Sequence, residues 1–251
     1  MLNLREAIEV FHLEFLRVLG ARVDRKLYVL KGGCNLRFFG RSIRYSEDMD
    51  LDVTTMQPGT LRSNVDWVLA SKPFELSLRR HGIELLRTSA PKQTDTAQRW
   101  KLLIGIGVGQ EVPTKIEFSR RGFDDGIAYE AVSEELLQHY RMHPVLVQHY
   151  VPETAFRQKI EALAKRTLTQ ARDLFDLKLL LDAGCGREPL PAELQGQLSR
   201  AVANAIGVGY DDFAGQVLAY LEPEYQDQYR PRQYWETLQE RIVQALERLQ
   251  S

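Results

Sequence analysis

The pattern of apolar and polar residues predicts a first half that mixes strands with helices. Apolar residues recur every three or four positions over residues 3–20, which is typical of an amphipathic helix. A further helix is predicted over 61–69. Short apolar or alternating runs, typical of strands, occupy residues 27–30, 48–53, 83–88, 100–108 and 114–119. A polar loop, SAPKQTDTAQ, is expected between the third and fourth of these strands.

After about residue 130 the pattern becomes helical. Residues 153–166 and 170–183 carry apolar side chains at helical intervals, and the segment GCGREPLP then interrupts the pattern before two or three more helices. The fold class is therefore α/β (α+β): a mixed-sheet core with an N-terminal helix, followed by a helical C-terminal half. We place the boundary between 130 and 150, which gives an α/β domain over 1–140 and a helical domain over 141–251.

Composition narrows the class of protein. The 251 residues carry a formal net charge of −1, so any site for a polyanion must be a local basic cluster. The two cysteines have neither metal-ligand spacing nor a disulfide pattern, which favours a reducing cytoplasm. No apolar run approaches the roughly 20 residues that a membrane span needs. The five histidines show no ligand spacing, and we assign them no role.

Three aspartates project from one face of the predicted strand over 48–53. Asp48, Asp50 and Asp52 alternate with apolar residues, and carboxylates held this closely raise each other's pKa unless water or a cation neutralises them. Hard oxygen ligands at this spacing suit Mg²⁺, or Mn²⁺ in its place. The alternative is a solvated acidic edge strand without a metal.

A double glycine precedes this strand. Gly32 and Gly33 follow an apolar strand and lead into a segment of helical character, where backbone N–H groups can approach phosphate oxygens. A glycine pair alone is weak support for a phosphate site. The order strand, glycine turn, helix and acidic strand is more specific, because one element binds a triphosphate while the other supplies metal ligands.

The segment KGGCNLRFFGRSIRYSEDMDLDV resembles the nucleotidyltransferase superfamily that includes polymerase-beta-like enzymes. More closely, it resembles the AbiEii/AbiGii-type nucleotidyltransferase toxins of toxin–antitoxin systems, over residues 25–183. The resemblance implies that Asp48 and Asp50 bind metal ions and that a neighbouring strand supplies a third carboxylate. Glu117 is the best candidate, with an exposed polar side chain as its alternative reading. For Asp52, a structural role is favoured over metal binding.

The basic helical segment also resembles a motif of this family, which implies that 1–140 is the catalytic domain and that the helical domain over 141–251 completes the active-site cleft. Carried over to this sequence, Lys159 contacts the triphosphate as a point charge, Arg172 holds phosphate or orients the aspartates, and Asp173 or Asp176 positions nucleotide or acceptor. The alternative is a solvated helix face in which Arg172 pairs with Asp176 four residues later.

The resemblance implies an enzyme that transfers a nucleoside monophosphate from an NTP to an acceptor, with tRNA and its 3′ end as the favoured acceptor. A cognate antitoxin protein is the implied partner. The same chemistry with a protein hydroxyl as acceptor is a second hypothesis. A regulatory module that binds NTP without turnover is a third, and a nuclease leaves the glycine turn unexplained.

Overall fold

A computed structural model describes residues 2–107, 109–123 and 125–250. The chain forms two compact units. The first comprises Met1–Arg41 and Tyr45–Tyr150, and the second comprises Ser42–Arg44 and Val151–Ser251. The predicted fold class is confirmed: an N-terminal helix and a mixed sheet are followed by a helical C-terminal half.

A seven-stranded sheet, counted over the described residues, forms the centre of the first unit, in the order β3-β4-β5-β2-β1-β7-β6. Pairing is parallel between β2 and β5 and between β1 and β7, and antiparallel elsewhere. The strands are β1 (Tyr28–Lys31), β2 (Asp48–Val53), β3 (Ile83–Gln93), β4 (Ala97–Ile106), β5 (Gln110–Ser119), β6 (Ile127–Ala131) and β7 (Leu146–Tyr150).

The helices of the first unit are α1 (Leu4–Arg22), α2 (Gly32–Phe38), α3 (Pro58–Ala70), α4 (Lys72–Arg80) and α5 (Glu134–His139). Asn3 begins α1 with a capping box, in which its side chain accepts from the Glu6 N–H and the Glu6 carboxylate accepts from the Asn3 N–H. The apolar stripe of α1 packs against α3, α4 and β5, and Phe11 and Phe15 make edge-to-face contacts with Phe74 of α4. This core holds the sheet in place.

The second unit is helical. Its helices are α6 (Pro152–Lys165), α7 (Ala171–Asp182), α8 (Ala192–Gln195), α9 (Leu198–Ile206), α10 (Tyr210–Gln216), α11 (Pro223–Tyr229) and α12 (Arg232–Arg248). Phe213 stacks on Trp235 at 4.9 Å between ring centroids, and both side chains are buried. The segment 42–44 belongs to this unit because Arg44 forms a β-bridge with Leu221 and the Ile43 carbonyl accepts from the Glu222 N–H.

Three local expectations were wrong. The polar segment SAPKQTDTAQ is mostly strand, since β3 runs to Gln93 and β4 begins at Ala97, which leaves a three-residue connection. Its polar side chains are compatible with a strand because most of β3 is exposed. Strands β6 and β7 were not predicted, because the sequence pattern after about residue 130 predicts helices. Helix α4 was also missed, and Val108, at the predicted end of a strand, lies outside the described residues.

A histidine lies in the core of the first unit. His12 on α1 is fully buried, with its Nε2 2.9 Å from the Thr114 hydroxyl oxygen. That hydroxyl donates its only hydrogen to the Glu47 carbonyl at 2.6 Å, so the His12 Nε2 must be the donor to Thr114. The Nδ1 then carries a lone pair, 3.5 Å from the Cys34 sulfur. Burial lowers the pKa of His12 to about 4, against a smaller opposing effect of Asp48.

We expect His12 to make stability depend on pH. Its pKa is about 4 in the folded chain and about 6.5 unfolded, so the unfolded chain binds more protons between these values. The free energy of unfolding should therefore fall by about 2 kcal/mol from pH 7 to pH 5 through this residue, and level off below pH 4. Urea unfolding of wild type and His12→Gln at several pH values measures the difference. The exposed residue His143 provides the control His143→Gln, and equal slopes for wild type and His12→Gln would contradict the assignment.

Candidate active site

Strands β2 and β5 bring the three predicted carboxylates together. The parallel register places Asp50 opposite Glu117 and Asp48 opposite Lys115. Neighbouring strands lie about 4.8 Å apart and alternate side chains share a face, so Asp48, Asp50 and Glu117 occupy one patch of the sheet. The apolar residues between them, Met49 and Ile116, are fully buried on the opposite face.

Cations neutralise most of the carboxylates on this face. The Lys115 ammonium donates to Asp48 Oδ2 at 2.7 Å, and the Arg99 Nε donates to Glu117 Oε2 at 2.6 Å. Arg99 lies on β4, opposite Glu117 in the ladder. Sequence reasoning assigned no role to either cation. The spacing of Lys115 two residues before Glu117 was visible in the sequence, whereas the position of Arg99 depends on strand pairing.

Asp50 differs from its neighbours. Among the described residues, none donates a hydrogen bond to its carboxylate. Desolvation raises the pKa of Asp50, Lys115 and Lys31 oppose that shift, and the charges of Asp48 and Glu117 add to it. A cation at this carboxylate would relieve both the desolvation and the repulsion.

Because Gly32 has no side chain, there is room beside it for the Asp50 carboxylate. This glycine lies where β1 meets α2, with a φ of +68° that favours glycine, and a Cβ built there would be 3.3 Å from Asp50 Oδ2. The expected turn is therefore a direct junction, with α2 beginning at Gly32 and including Gly33 in its first turn. Any larger residue at position 32 would strain the backbone and crowd the carboxylate.

Asp52 makes structural contacts. It is buried, and it accepts hydrogen bonds from the Tyr150 hydroxyl at 2.8 Å and from the Lys31 ammonium. Lys31 immediately precedes Gly32 and is the N-cap residue of α2. These contacts join β2 to β7 and to the start of α2.

The donor set fits a hard divalent cation. Over the part of the chain that the structure describes, no three His, Cys, Asp or Glu side chains form a ready-made metal cage. Mg²⁺ does not require one, because it commonly takes one or two protein carboxylates and completes its shell with water and substrate phosphates. Asp48, Asp50 and Glu117 offer oxygen atoms of this type, and Asp50 has no competing donor within those residues.

The second unit contains a buried ionic cluster. Asp173 and Asp176, three residues apart on α7, have no exposed surface. Lys159 on α6 lies 3.0 Å from Asp173 Oδ1 and 2.5 Å from Asp176 Oδ2. Arg44 donates from Nη2 to both oxygens of Asp176, at 3.0 and 3.1 Å, and Arg166 lies 3.3 Å from Asp173 Oδ2. The structure thus brings together three of the four predicted helical residues and adds Arg44, which the sequence did not indicate.

Charge compensation stabilises this cluster. Burial alone would raise the pKa of Asp176, but Arg44 and Lys159 hold it below its ordinary value. Burial alone would lower the pKa of Lys159, but Asp176 and Asp173 raise it. Asp176 and Lys159 are therefore both charged at neutral pH.

Arg172 lies outside this cluster. The suggested pairing between Arg172 and Asp176 is wrong, because Asp176 is buried and already bound by Arg44 and Lys159. Arg172 is partly exposed, and no ion pair is formed with it by the described residues.

Paired aspartates two residues apart, beside a glutamate on a parallel strand, offer oxygen ligands of the kind found in two-metal sites for phosphoryl transfer. The family model for the "Nucleotidyl transferase AbiEii toxin, Type IV TA system" matches residues 14–249. The chain belongs to this family: it is a nucleotidyltransferase toxin of a toxin–antitoxin system, with an NTP as substrate and an antitoxin as partner. The match extends well beyond the segment 25–183 that carried the resemblance.

Solved structures share the fold. JHP933 from Helicobacter pylori is 22% identical, with a TM-score of 0.58 over 99% of this chain and 96% of that chain. A putative nucleotidyltransferase from H. pylori is 22% identical, with a TM-score of 0.59 and complete coverage of both chains (100% and 100%). MenT4, a nucleotidyltransferase toxin from Mycobacterium tuberculosis, is 17% identical, with a TM-score of 0.57 over 98% and 94%. No curated protein sequence matches the chain.

The sequence predicts no membrane span. Over the described residues, no helix is long and apolar enough to cross a bilayer.

We expect Asp176→Asn to destabilise the second unit by about 3 kcal/mol or more, since it leaves Arg44 and Lys159 buried with one carboxylate fewer. Asp182→Asn is the matched control on the same helix. Asp182 is 35% exposed and pairs with Lys178 and Arg241, so its loss should cost less than about 1 kcal/mol. Urea unfolding followed by circular dichroism measures both, and similar losses for the two variants would refute a special role for the cluster.

Proposed function

We propose that this toxin transfers a nucleoside monophosphate from an NTP to the 3′ end of tRNA. Asp48, Asp50 and Glu117 hold Mg²⁺ or Mn²⁺ in this proposal. The observation that carries it is the register of β2 and β5, which sets Asp50 beside Glu117 with Asp48 on the same face. Modification of the tRNA acceptor end stops translation, which accounts for growth arrest by a toxin.

Nucleotidyl transfer requires little covalent chemistry from the protein. An acceptor hydroxyl attacks the α-phosphorus in line, the bond to the bridging oxygen breaks, and pyrophosphate leaves. The metal ions, when bound, lower the pKa of the attacking hydroxyl and neutralise the departing pyrophosphate. In this proposal Glu117 accepts the proton of that hydroxyl. Asp48 and Asp50 would hold these cations.

The remaining predicted residues bind the nucleotide in this proposal. The backbone N–H groups of Gly32 and Gly33 face the phosphates at the start of α2. The proposal also gives Lys159 a contact with the triphosphate and Arg172 a contact with a phosphate. Asp173 and Asp176 act by fixing the Lys159 ammonium, to which both are ion-paired. Arg172 is partly exposed and carries no ion pair among the described residues, which supports a role with a ligand.

We expect Asp48→Asn and Asp50→Asn each to lower transfer at least about a hundredfold, because each removes an oxygen ligand that carries charge. Purified protein is incubated with each α-³²P-labelled NTP, Mg²⁺ and total bacterial tRNA. Label on tRNA identifies both acceptor and nucleotide. Glu84→Gln, which neutralises an exposed carboxylate on β3 of the same sheet, is the matched control and should retain wild-type activity.

The other readings give different results. Label on protein and none on tRNA would replace the tRNA acceptor with a protein hydroxyl. Measurable NTP binding without any label would indicate a module that binds nucleotide without turnover. Wild-type activity in Asp48→Asn would overturn the assigned site whatever the acceptor.

A further inference from the structure

The carboxylates of β2 and β5 are matched by cations from the same sheet. Lys115 pairs with Asp48, Arg99 pairs with Glu117, and Lys31 pairs with Asp52. Two of these three pairs involve carboxylates that we assign to metal binding. A divalent cation at those carboxylates must therefore compete with Lys115 and Arg99.

We propose that Lys115 and Arg99 exchange partners when NTP binds. They neutralise Asp48 and Glu117 in the protein without ligand, and they bind phosphate oxygens of the NTP once a divalent cation takes those carboxylates. This inference rests on the proposed function, because it presumes that Asp48 and Glu117 hold the metal. It adds two triphosphate-binding residues that the family resemblance did not indicate.

Charge arithmetic supports the exchange. Asp48, Asp50 and Glu117 carry −3 and the two cations +2, which leaves the patch at −1. Two divalent cations add +4 and a fully ionised triphosphate adds −4, which returns the total to −1. Lys115 and Arg99 are therefore needed in both states, but against different anions.

The two side chains are able to change partners. Lys115 is 30% exposed and Arg99 is 34% exposed, so neither is locked in the core. Arg99 uses only its Nε on Glu117, and its two Nη atoms have no hydrogen-bond partner among the described residues. A guanidinium whose two Nη atoms have no partner among the described residues suits bidentate binding of phosphate, and the lysine ammonium moves on a flexible four-carbon chain.

Lys31 provides an internal contrast. Its partner Asp52 is buried and is also bound by the Tyr150 hydroxyl, and we assign it no metal. Lys31 itself is only 17% exposed. It therefore keeps Asp52 as its only partner among the described residues and positions the start of α2. In the proposal, Lys115 and Arg99 each have two partners in turn, a carboxylate without ligand and a phosphate with NTP.

Binding measurements without catalysis test the exchange. Calorimetry measures the affinity of Lys115→Met for Mn²⁺ alone, and then its affinity for α,β-methylene analogues of the four NTPs in saturating Mg²⁺. We expect Mn²⁺ to bind at least threefold more tightly because a competitor is gone, and the preferred analogue to bind about tenfold more weakly because a phosphate contact is lost. Arg99→Gln should show the same opposite changes. Lys72→Met, which removes a 65% exposed lysine paired with Glu75, should change neither affinity.

The directions of the two affinity changes, for Mn²⁺ and for the NTP analogue, decide whether the exchange of partners takes place. Tighter Mn²⁺ binding with unchanged or tighter analogue binding would show that these cations only neutralise carboxylates, which overturns the exchange. Weaker binding of both ligands in both variants would show a structural role and overturn it too. Failure of the wild type to bind any analogue would remove the proposed function itself, and this result is distinct because it needs no variant.

Discussion

The parallel pairing of β2 with β5 is the constraint on which the first unit depends. Met49 and Leu51 on β2 and Ile116 on β5 are fully buried and fix which face of each strand points into the core. Since alternate residues face opposite sides, that burial also fixes the face on which Asp50 and Glu117 lie. A slip of one residue would bring carboxylates into the core, so the free energy of core packing sets the register of the site.

The two units hold their charges in different ways. In the first, Asp48 and Glu117 each have one cationic partner that remains partly exposed. In the second, Asp173 and Asp176 are fully enclosed, and Asp176 is bound by both Arg44 and Lys159. A buried cluster of this kind resists rearrangement because any unpaired charge would be desolvated, whereas exposed pairs exchange at small cost. The ion pairs on the sheet can therefore change partners, whereas the ion pairs between the helices keep theirs.

Sequence periodicity was sufficient for the elements with strong local patterns. It predicted α1, β2, α6 and α7, and the glycine pair and alternating aspartates pointed to Asp48 and Asp50. It failed where a pattern was weak or polar, as in β7 and in the exposed second half of β3, which was expected to be a loop. Pairing between distant elements carries no local pattern, which is why the partners Arg99 and Arg44 were missed. They lie 18 and 132 residues from the carboxylates that they bind.

The contact between Arg44 and Asp176 limits how early the second unit can fold during translation. Arg44 emerges from the ribosome 132 residues before Asp176, an interval on the order of ten seconds at elongation rates of about 5–20 residues per second. Strand β1 likewise waits for β7, because the sheet is complete only when residues 146–150 are available. Both units therefore reach their final form late in synthesis. A nascent chain that ends before α7 lacks Asp176, the carboxylate that Arg44 binds, so the buried ionic cluster cannot yet form.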